Sequence, residues 1–308
     1  MSRGNCEALE YYGTPNEVTD LGAHKEFTDW LTDDVSAVFR VVQGLLIHDA
    51  WMPAYGAKFN NEQRYDFETI RMDALLEKAL ELSSLNLSIP RPPGKRVIGC
   101  CREFATLMTA ILRAKGIPAR SRCGFAAYFD DSSKWEDHWV CEYWREDESR
   151  WVLADPQMDP FQQSTLALGF SPLDIPRSQF MIGGEAWSAC RSGKLNSEDF
   201  GIGDDPGNYN LPSLYGLWFV RGNLLRDFAS LNKVETVPLL IRLWRKLSWD
   251  SWRLVGSTDD ELSPSDLDLL DRIAEVSANI DQRFDEAREL FESEGDLRPG
   301  EKILTFEE

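Results

Sequence analysis

Three residues that together support acyl-transfer chemistry occur in order along the chain: Cys101, His138 and Asp155. Cys101 precedes an apolar pattern with helical spacing, whereas His138 and Asp155 lie in segments that alternate like β-strands. A thiol at a helix N-terminus beside an imidazole ionises at neutral pH, and the thiolate attacks carbonyl carbon. The imidazole then moves protons, and a carboxylate on its other nitrogen fixes its tautomer and orientation. We therefore take these residues as candidate nucleophile, base and orienting group.

The helix expected to carry the cysteine gives the clearest local signal in the sequence. Apolar side chains recur at helical spacing from Phe104 to Leu112, and Gly116 and Pro118 follow as stop signals. This pattern predicts a buried helix that starts near Cys101.

Three antiparallel strands are expected next, over residues 119–129, 138–144 and 150–155. The last two form a hairpin, and an even loop at residues 145–148 makes Trp144 face Ser149. In that register Glu142 faces Trp151, Val140 faces Leu153 and His138 faces Asp155. Directly opposed residues point to the same side of a sheet, so the imidazole and the carboxylate would meet.

The rest of the chain reads as helical elaboration of this core. Helices are expected over residues 35–46, 66–82 and 264–291, and the Pro-rich segment 90–94 is a connection. Residues 157–215 read as loop-rich, with a helical patch near 177–190. We expect one α+β domain over residues 1–308: a helical part to residue 95, a catalytic core at 96–160, and a loop-rich and helical part at 161–308.

Composition excludes several classes of protein. The chain has 33 Lys+Arg against 52 Asp+Glu, a net charge of −19, which argues against a nucleic-acid or anionic-membrane surface. No apolar run reaches membrane-spanning length, and the N-terminus lacks a secretory pattern, so a cytoplasmic location is expected. The six cysteines form no C-x-x-C pair, no H-E-x-x-H occurs, and no glycine-rich phosphate loop is present. We therefore expect neither a metal nor a cofactor.

Three blocks of sequence resemble the transglutaminase-like superfamily. Residues 99–105 (GCCREFA) and 112–120 (LRAKGIPAR) are similar to its cysteine-helix signature; residues 137–142 (DHWVCE) resemble its histidine strand, and residues 151–156 (WVLADP) its aspartate strand. The spacing agrees, with 37 residues from Cys101 to His138 and 17 more to Asp155. The resemblance implies a papain-like α+β core in a stand-alone member, with Cys101 rather than Cys100 as nucleophile.

The match has departures that limit what it implies. Trp139 directly follows His138, where the family's tryptophan usually stands two places after the histidine, and Gln157 replaces a common threonine. No acidic loop argues for the calcium sites of large transglutaminases. The resemblance therefore supports the catalytic core and leaves protein cross-linking open.

The substrate pocket has weaker candidates. The family uses a tryptophan upstream of its cysteine as an oxyanion donor, so Trp51 or Tyr55 are candidates for that role or for lining the cleft, and Trp139 is a further pocket candidate. Backbone N–H groups at the start of the cysteine helix are the other expected oxyanion donors.

Two hypotheses from different classes follow. The first is a cysteine-dependent enzyme that forms a thioester from an amide or thioester and passes the acyl group to water or an amine. This covers a peptidase or amidase, a transglutaminase and an amide ligase. The second is a catalytically silent member of the same fold that binds peptides or acts as a scaffold. The sequence leaves the oligomeric state open.

Overall fold

The computed structural model describes residues 3–58, 69–129, 134–204, 213–236, 254 and 262–297. Within these residues the α-helices are α1 (Arg3–Tyr12), α2 (Val35–Leu45), α3 (Met72–Leu82), α4 (Cys101–Ala114), α5 (Pro160–Thr165), α6 (Gly183–Arg191), α7 (Leu217–Leu231), α8 (Pro264–Ala278) and α9 (Phe284–Ser293). The strands are β1 (Leu46–His48), β2 (Val97–Gly99), β3 (Ala119–Ala126), β4 (Trp135–Arg145), β5 (Arg150–Ala154), β6 (Phe180–Ile182) and β7 (Phe200–Gly201). The predicted start of the helix at residues 66–68 lies outside the described residues.

The strands form two sheets. β1 and β2 pair in parallel, and a larger sheet has the order β5-β4-β3-β6, with β7 parallel to β4. β4 with β5 and β3 with β6 are antiparallel pairs. This combination of helices with an antiparallel sheet confirms the predicted α+β fold class.

The chain divides into two compact units. The Cys101 unit contains Leu9–Ser121 and Trp139–Ile175; the His138 unit contains Met1–Ala8, Arg122–His138 and Pro176–Glu308. The expectation of one domain over residues 1–308 stays a prediction.

Helix α4 is the centre of the Cys101 unit. Its side chains from Cys101 to Arg113 are all buried, and its apolar residues join those of α2, α3 and β5 in one core. Thr109 on α4 lies 3.0 Å from the Ser121 hydroxyl on β3 and 3.3 Å from the Cys141 sulfur on β4. The helix ends as expected, because Gly116 adopts a φ of 74° that favours glycine.

The His138 unit has a buried polar core of its own. Arg122 forms a bidentate ion pair with Asp227 at 2.8 and 2.9 Å, and the Ser277 hydroxyl donates to the same carboxylate. Asn223 donates to Asp137 at 2.8 Å. These pairs tie α7 and α8 to β3 and to the start of β4.

The predicted hairpin exists, but its predicted register is wrong by two residues. Trp144 pairs with Trp151 rather than Ser149, and Glu142 pairs with Leu153 rather than Trp151. The paired ladder ends at Cys141 and Ala154, so the expected direct pairing of His138 with Asp155 is not part of it. The loop has an even length as predicted, but it runs over residues 146–149.

The physical reason for the shift lies at the turn. Ser149 adopts a φ of 49° and closes the loop, while Arg145 and Arg150 extend the ladder by one pair. Both arginines bind Asp174, with NH1 of Arg145 at 3.1 Å and NH2 of Arg150 at 2.5 Å from Oδ2. Asp174, which is distant in sequence, thus stabilises the pairing of Arg145 with Arg150, and the loop sequence alone does not predict that pairing.

The predicted helix over residues 264–291 is two helices, α8 and α9. Asn279 ends the first, and its side-chain amide donates to the Glu275 carbonyl at 2.8 Å. Ile280 stays buried across the break, so the apolar stripe continues although the helix does not. The N-terminal prediction is confirmed: Ser263 caps α8, and Pro264 is at its first position.

Candidate active site

Cys101 is the first residue of α4, and its side chain is buried at 9 % exposure. Cys100 precedes it in an extended conformation, and its backbone N–H donates to Oε2 of Glu103 at 2.8 Å. Gly99 makes room for this return contact, since a Cβ there would lie 3.0 Å from the Glu103 Cβ. The sulfur therefore lies at the positive end of a helix macrodipole, which favours a thiolate.

Glu103 connects the helix start to its surroundings. Its Oε2 also accepts the Cys100 thiol at 3.1 Å, and Oε1 lies 3.3 Å from the Arg102 guanidinium. Burial raises the pKa of Glu103 despite the nearby arginine. The carboxyl group is thus a buried anchor for the residues that flank Cys101.

The Cys100 thiol ionises less readily than an ordinary cysteine. A hydrogen bond to Cys101, burial and the charge of Glu103 raise the pKa of the Cys100 thiol well above its ordinary value. This shift favours the protonated thiol, which donates to Oε2 of Glu103.

His48 lies beside Cys101, a position that the sequence reasoning did not identify. β1 and β2 run in parallel with His48 opposite Gly99, and α4 begins two residues after Gly99. Both strands end at the same edge, so the imidazole and the start of α4 are neighbours. The His48 ring also stacks on Phe104, one turn into α4, at 6.5 Å between centroids.

The His48 imidazole contacts both a carboxylate and the thiol. Nδ1 lies 2.9 Å from Oδ1 of Asp49, and the side chain is hydrogen-bonded to Cys101. Burial alone would lower the pKa of His48, but these two partners outweigh it and raise the pKa to about 9. The hydrogen bond with His48 holds the pKa of Asp49 below its usual value despite burial. Both shifts favour the charged pair, imidazolium and carboxylate, while the Ala50 N–H also lies 3.2 Å from Nδ1.

Asp155 lies immediately after β5 and is buried. Its Oδ1 accepts the Gln157 N–H at 3.0 Å, and its own N–H donates to the Pro172 carbonyl at 2.8 Å. These two hydrogen bonds hold both the side chain and the backbone of Asp155 in the Cys101 unit.

His138 lies on β4, at the boundary of the His138 unit, and is buried. Its ring makes edge contacts with Phe129 at 4.9 Å and Tyr128 at 6.0 Å. The expectation that it joins Cys101 and Asp155 in one groove stays a prediction.

The three pocket candidates have different environments. Trp51 and Tyr55 both pack against Phe161, at 6.3 and 4.9 Å between ring centroids. Burial and a hydrogen bond to Asp159 raise the pKa of the Tyr55 hydroxyl. Trp139 is fully buried, and its indole nitrogen has no acceptor among the described residues. Complete burial fits a core role better than substrate contact, so its place in the pocket stays a prediction.

A cavity of about 10 Å³, roughly room for one water molecule, lies beside His48. Its polar wall continues through Gln157, Gln162 and Tyr55: Nε2 of Gln157 donates to Oε1 of Gln162 at 3.3 Å, and Nε2 of Gln162 lies 3.3 Å from the Tyr55 hydroxyl. The lining residues are Gln43, Leu46, Ile47, His48, Tyr55, Arg96, Phe104, Gln157, Asp159 and Gln162. Across the described ranges no group of three or more His, Cys, Asp or Glu side chains is placed to hold a metal ion.

In the described part of the chain, no helix is both long enough and apolar enough to cross a bilayer.

Comparison with known proteins agrees with the resemblance found in the sequence. Residues 92–156 match the model of the transglutaminase-like superfamily. A solved structure of a proposed cysteine protease from Cytophaga hutchinsonii is similar at 16 % identity and a TM-score of 0.33, covering 59 % of this chain and 46 % of that one. The chain therefore spans about half of that protein. No curated protein matches significantly.

The stretch that matches this model, residues 92–156, contains all three predicted catalytic residues. The match points to a cysteine-dependent activity, and Cys101, within the matched stretch, begins helix α4.

Proposed function

We propose that the protein is an acyl-transfer enzyme in which Cys101 forms a thioester with the acyl group of an amide or thioester substrate. The observation that carries this proposal is the position of Cys101: first residue of α4, buried, and hydrogen-bonded to an imidazole. A helix N-terminus and an adjacent imidazolium both stabilise a thiolate. A cysteine that only fills space in a core has no need of a helix N-terminus or of a neighbouring imidazole.

The first half-reaction forms the acyl-enzyme. The Cys101 thiolate attacks the substrate carbonyl carbon, and the carbonyl oxygen becomes an oxyanion. Backbone N–H groups at the start of α4 point along the helix axis towards the sulfur and are suited to bind that oxyanion. The His138 imidazolium gives its proton to the leaving amine, and the carbon–nitrogen bond breaks to leave the thioester.

The second half-reaction passes the acyl group on. Neutral His138 takes a proton from water or an amine as that acceptor attacks the thioester carbon. The carbon–sulfur bond breaks, and Cys101 leaves as a thiolate. Asp155 holds the His138 ring in the tautomer that both steps need. Water always competes as acceptor, so we propose hydrolysis of a peptide or amide as the default reaction, with amine transfer where the amine is bound.

A substrate panel tests the proposal. Amides, peptides and thioesters are incubated with the protein, with and without primary amines. Turnover is then compared in Cys101→Ala, His138→Ala and Asp155→Asn. Loss of the nucleophile should abolish detectable turnover, and loss of the base should cost about 10²- to 10⁴-fold. Full activity in Cys101→Ala contradicts the proposal, whereas folded protein with intact residues and no turnover on any acyl donor favours the silent scaffold.

A further inference from the structure

We propose that His48, supported by Asp49, is a second catalytic imidazole: it holds Cys101 as a thiolate–imidazolium pair and leaves proton transfer to His138. This inference rests on the proposed function and deepens it. It stands on the parallel register that places His48 opposite Gly99, on the hydrogen bond between His48 and Cys101, and on the 2.9 Å contact between His48 and Asp49.

The charges around His48 explain why it serves as a counter-ion rather than a base. Asp49 and the Ala50 N–H both lie against Nδ1, at 2.9 and 3.2 Å, Cys101 is also hydrogen-bonded to the side chain, and the cavity brings Arg96, Asp159 and Tyr55 to the same wall. The two nearest partners are both anionic when ionised, and a positive ring between them is stabilised by each. A ring that stays protonated cannot accept the proton of an attacking water or amine.

The proton balance separates the two histidines. In the resting enzyme the Cys101 S–H proton has moved to His48, which gives a thiolate and an imidazolium. When the thioester forms, the sulfur loses its charge and His48 remains paired with the Asp49 carboxylate. The proton that the leaving amine takes comes from His138, and the proton from the acceptor returns there. His48 keeps its proton through the whole cycle.

A matched pair of histidines makes the inference testable. His24 resembles His48 in exposure, with side chains 17 % and 16 % exposed, and it also has a carboxylate neighbour, Glu77 at 3.9 Å. His24→Gln is therefore the control for His48→Gln. Asp49→Asn keeps both histidines and weakens only the support of His48, so it serves if His48→Gln does not fold.

The measurement is the rate at which iodoacetamide alkylates Cys101, followed from pH 5 to pH 10 and localised by peptide mapping. It needs no substrate. A Cys6→Ser background removes the exposed cysteine. Burial raises the pKa of Cys141 to about 12 and that of Cys190 to about 11, so these thiols contribute little at low pH. Circular dichroism and the melting temperature establish that each variant is folded.

We expect His48→Gln to slow alkylation at pH 6 by about tenfold or more and to approach the parent rate, within about threefold, at pH 10. The alkylation rate of Asp49→Asn at pH 6 should lie between those of His48→Gln and the parent. The pH profile of His24→Gln should coincide with that of the parent. His138→Ala should still be alkylated at pH 6 but should lose turnover. A His48→Gln profile that coincides with the parent, or one slowed equally at every pH, overturns the inference.

The outcomes also separate this inference from the proposed function. Alkylation at pH 6 that depends on His138 and not on His48 overturns the inference and leaves the acyl-transfer proposal in place. Alkylation that depends on His48, in a protein that never forms an acyl-enzyme, supports the inferred ion pair and contradicts the acyl-transfer proposal.

Discussion

His48 and Cys101 are hydrogen-bonded although 53 residues separate them in the sequence. The contact follows from two three-residue strands, since β1 ends at His48 beside the end of β2 at Gly99, and α4 starts directly beyond. The parallel register therefore places an imidazole beside Cys101 from outside residues 92–156, the stretch that matches the family model.

The first prediction concerns stability and pH. The pKa of His48 is raised from 6.5 to about 9 in the folded protein, so the protonated ring stabilises the fold. This contribution, up to about 3 kcal/mol, is complete below pH ~6.5 and is lost as the pH rises through about 9. Urea unfolding at pH 6 and pH 10 should show His48→Gln less stable than the parent mainly at pH 6. A deficit that is the same at both values contradicts this assignment.

A second prediction concerns the helix start. Glu103→Ala removes the carboxylate that binds the Cys100 N–H and the Arg102 guanidinium, both in buried surroundings. We expect a loss of about 3–5 kcal/mol in unfolding free energy. Glu103→Gln should cost less, because its amide oxygen still accepts the Cys100 N–H. Glu81→Ala, on the exposed face of α3, is the control and should change stability by less than about 0.5 kcal/mol. A Glu103→Ala cost below about 1 kcal/mol would refute the anchoring role.

The third prediction concerns Tyr55 and distinguishes two roles for its hydroxyl, lining the cavity or donating to the oxyanion. Its hydroxyl is hydrogen-bonded to Asp159 and Gln162, so we expect Tyr55→Phe to raise KM by about threefold to tenfold with kcat nearly unchanged. An oxyanion donor would instead cost about 10²- to 10³-fold in kcat. Steady-state kinetics on any substrate that the proposed panel turns up decide between them, with Tyr143→Phe, whose hydroxyl contacts Leu173 and Arg145, as control.

The sequence predicted the elements that have long, regular patterns. Helix α4, its start at Cys101 and its end before Gly116 follow from five apolar positions at helical spacing and from turn chemistry. The strands after it were predicted for the same reason. Hydrophobic periodicity and helix-stop residues are properties of the local sequence. They predict the structure correctly where tertiary packing favours the same element.

What the sequence did not predict depends on contacts between distant segments. The hairpin register is set partly by Asp174, which lies 24 residues beyond Arg150. His48 was missed because β1 and β2 have three residues each, too few to show a period. The available signal was a pair of short apolar runs, Leu46–Ile47 and Val97–Ile98, each followed by residues able to do chemistry.

The most direct test of the account is to trap the acyl group on the protein. Substrate and enzyme are mixed, quenched in acid within milliseconds to seconds, and measured by intact mass followed by peptide mapping. We predict a mass increase equal to the acyl group, located on Cys101, removed by hydroxylamine, absent in Cys101→Ala and still formed in Cys100→Ala. Turnover that proceeds at the parent rate in Cys101→Ala, with no adduct on that cysteine at any time, would contradict the account.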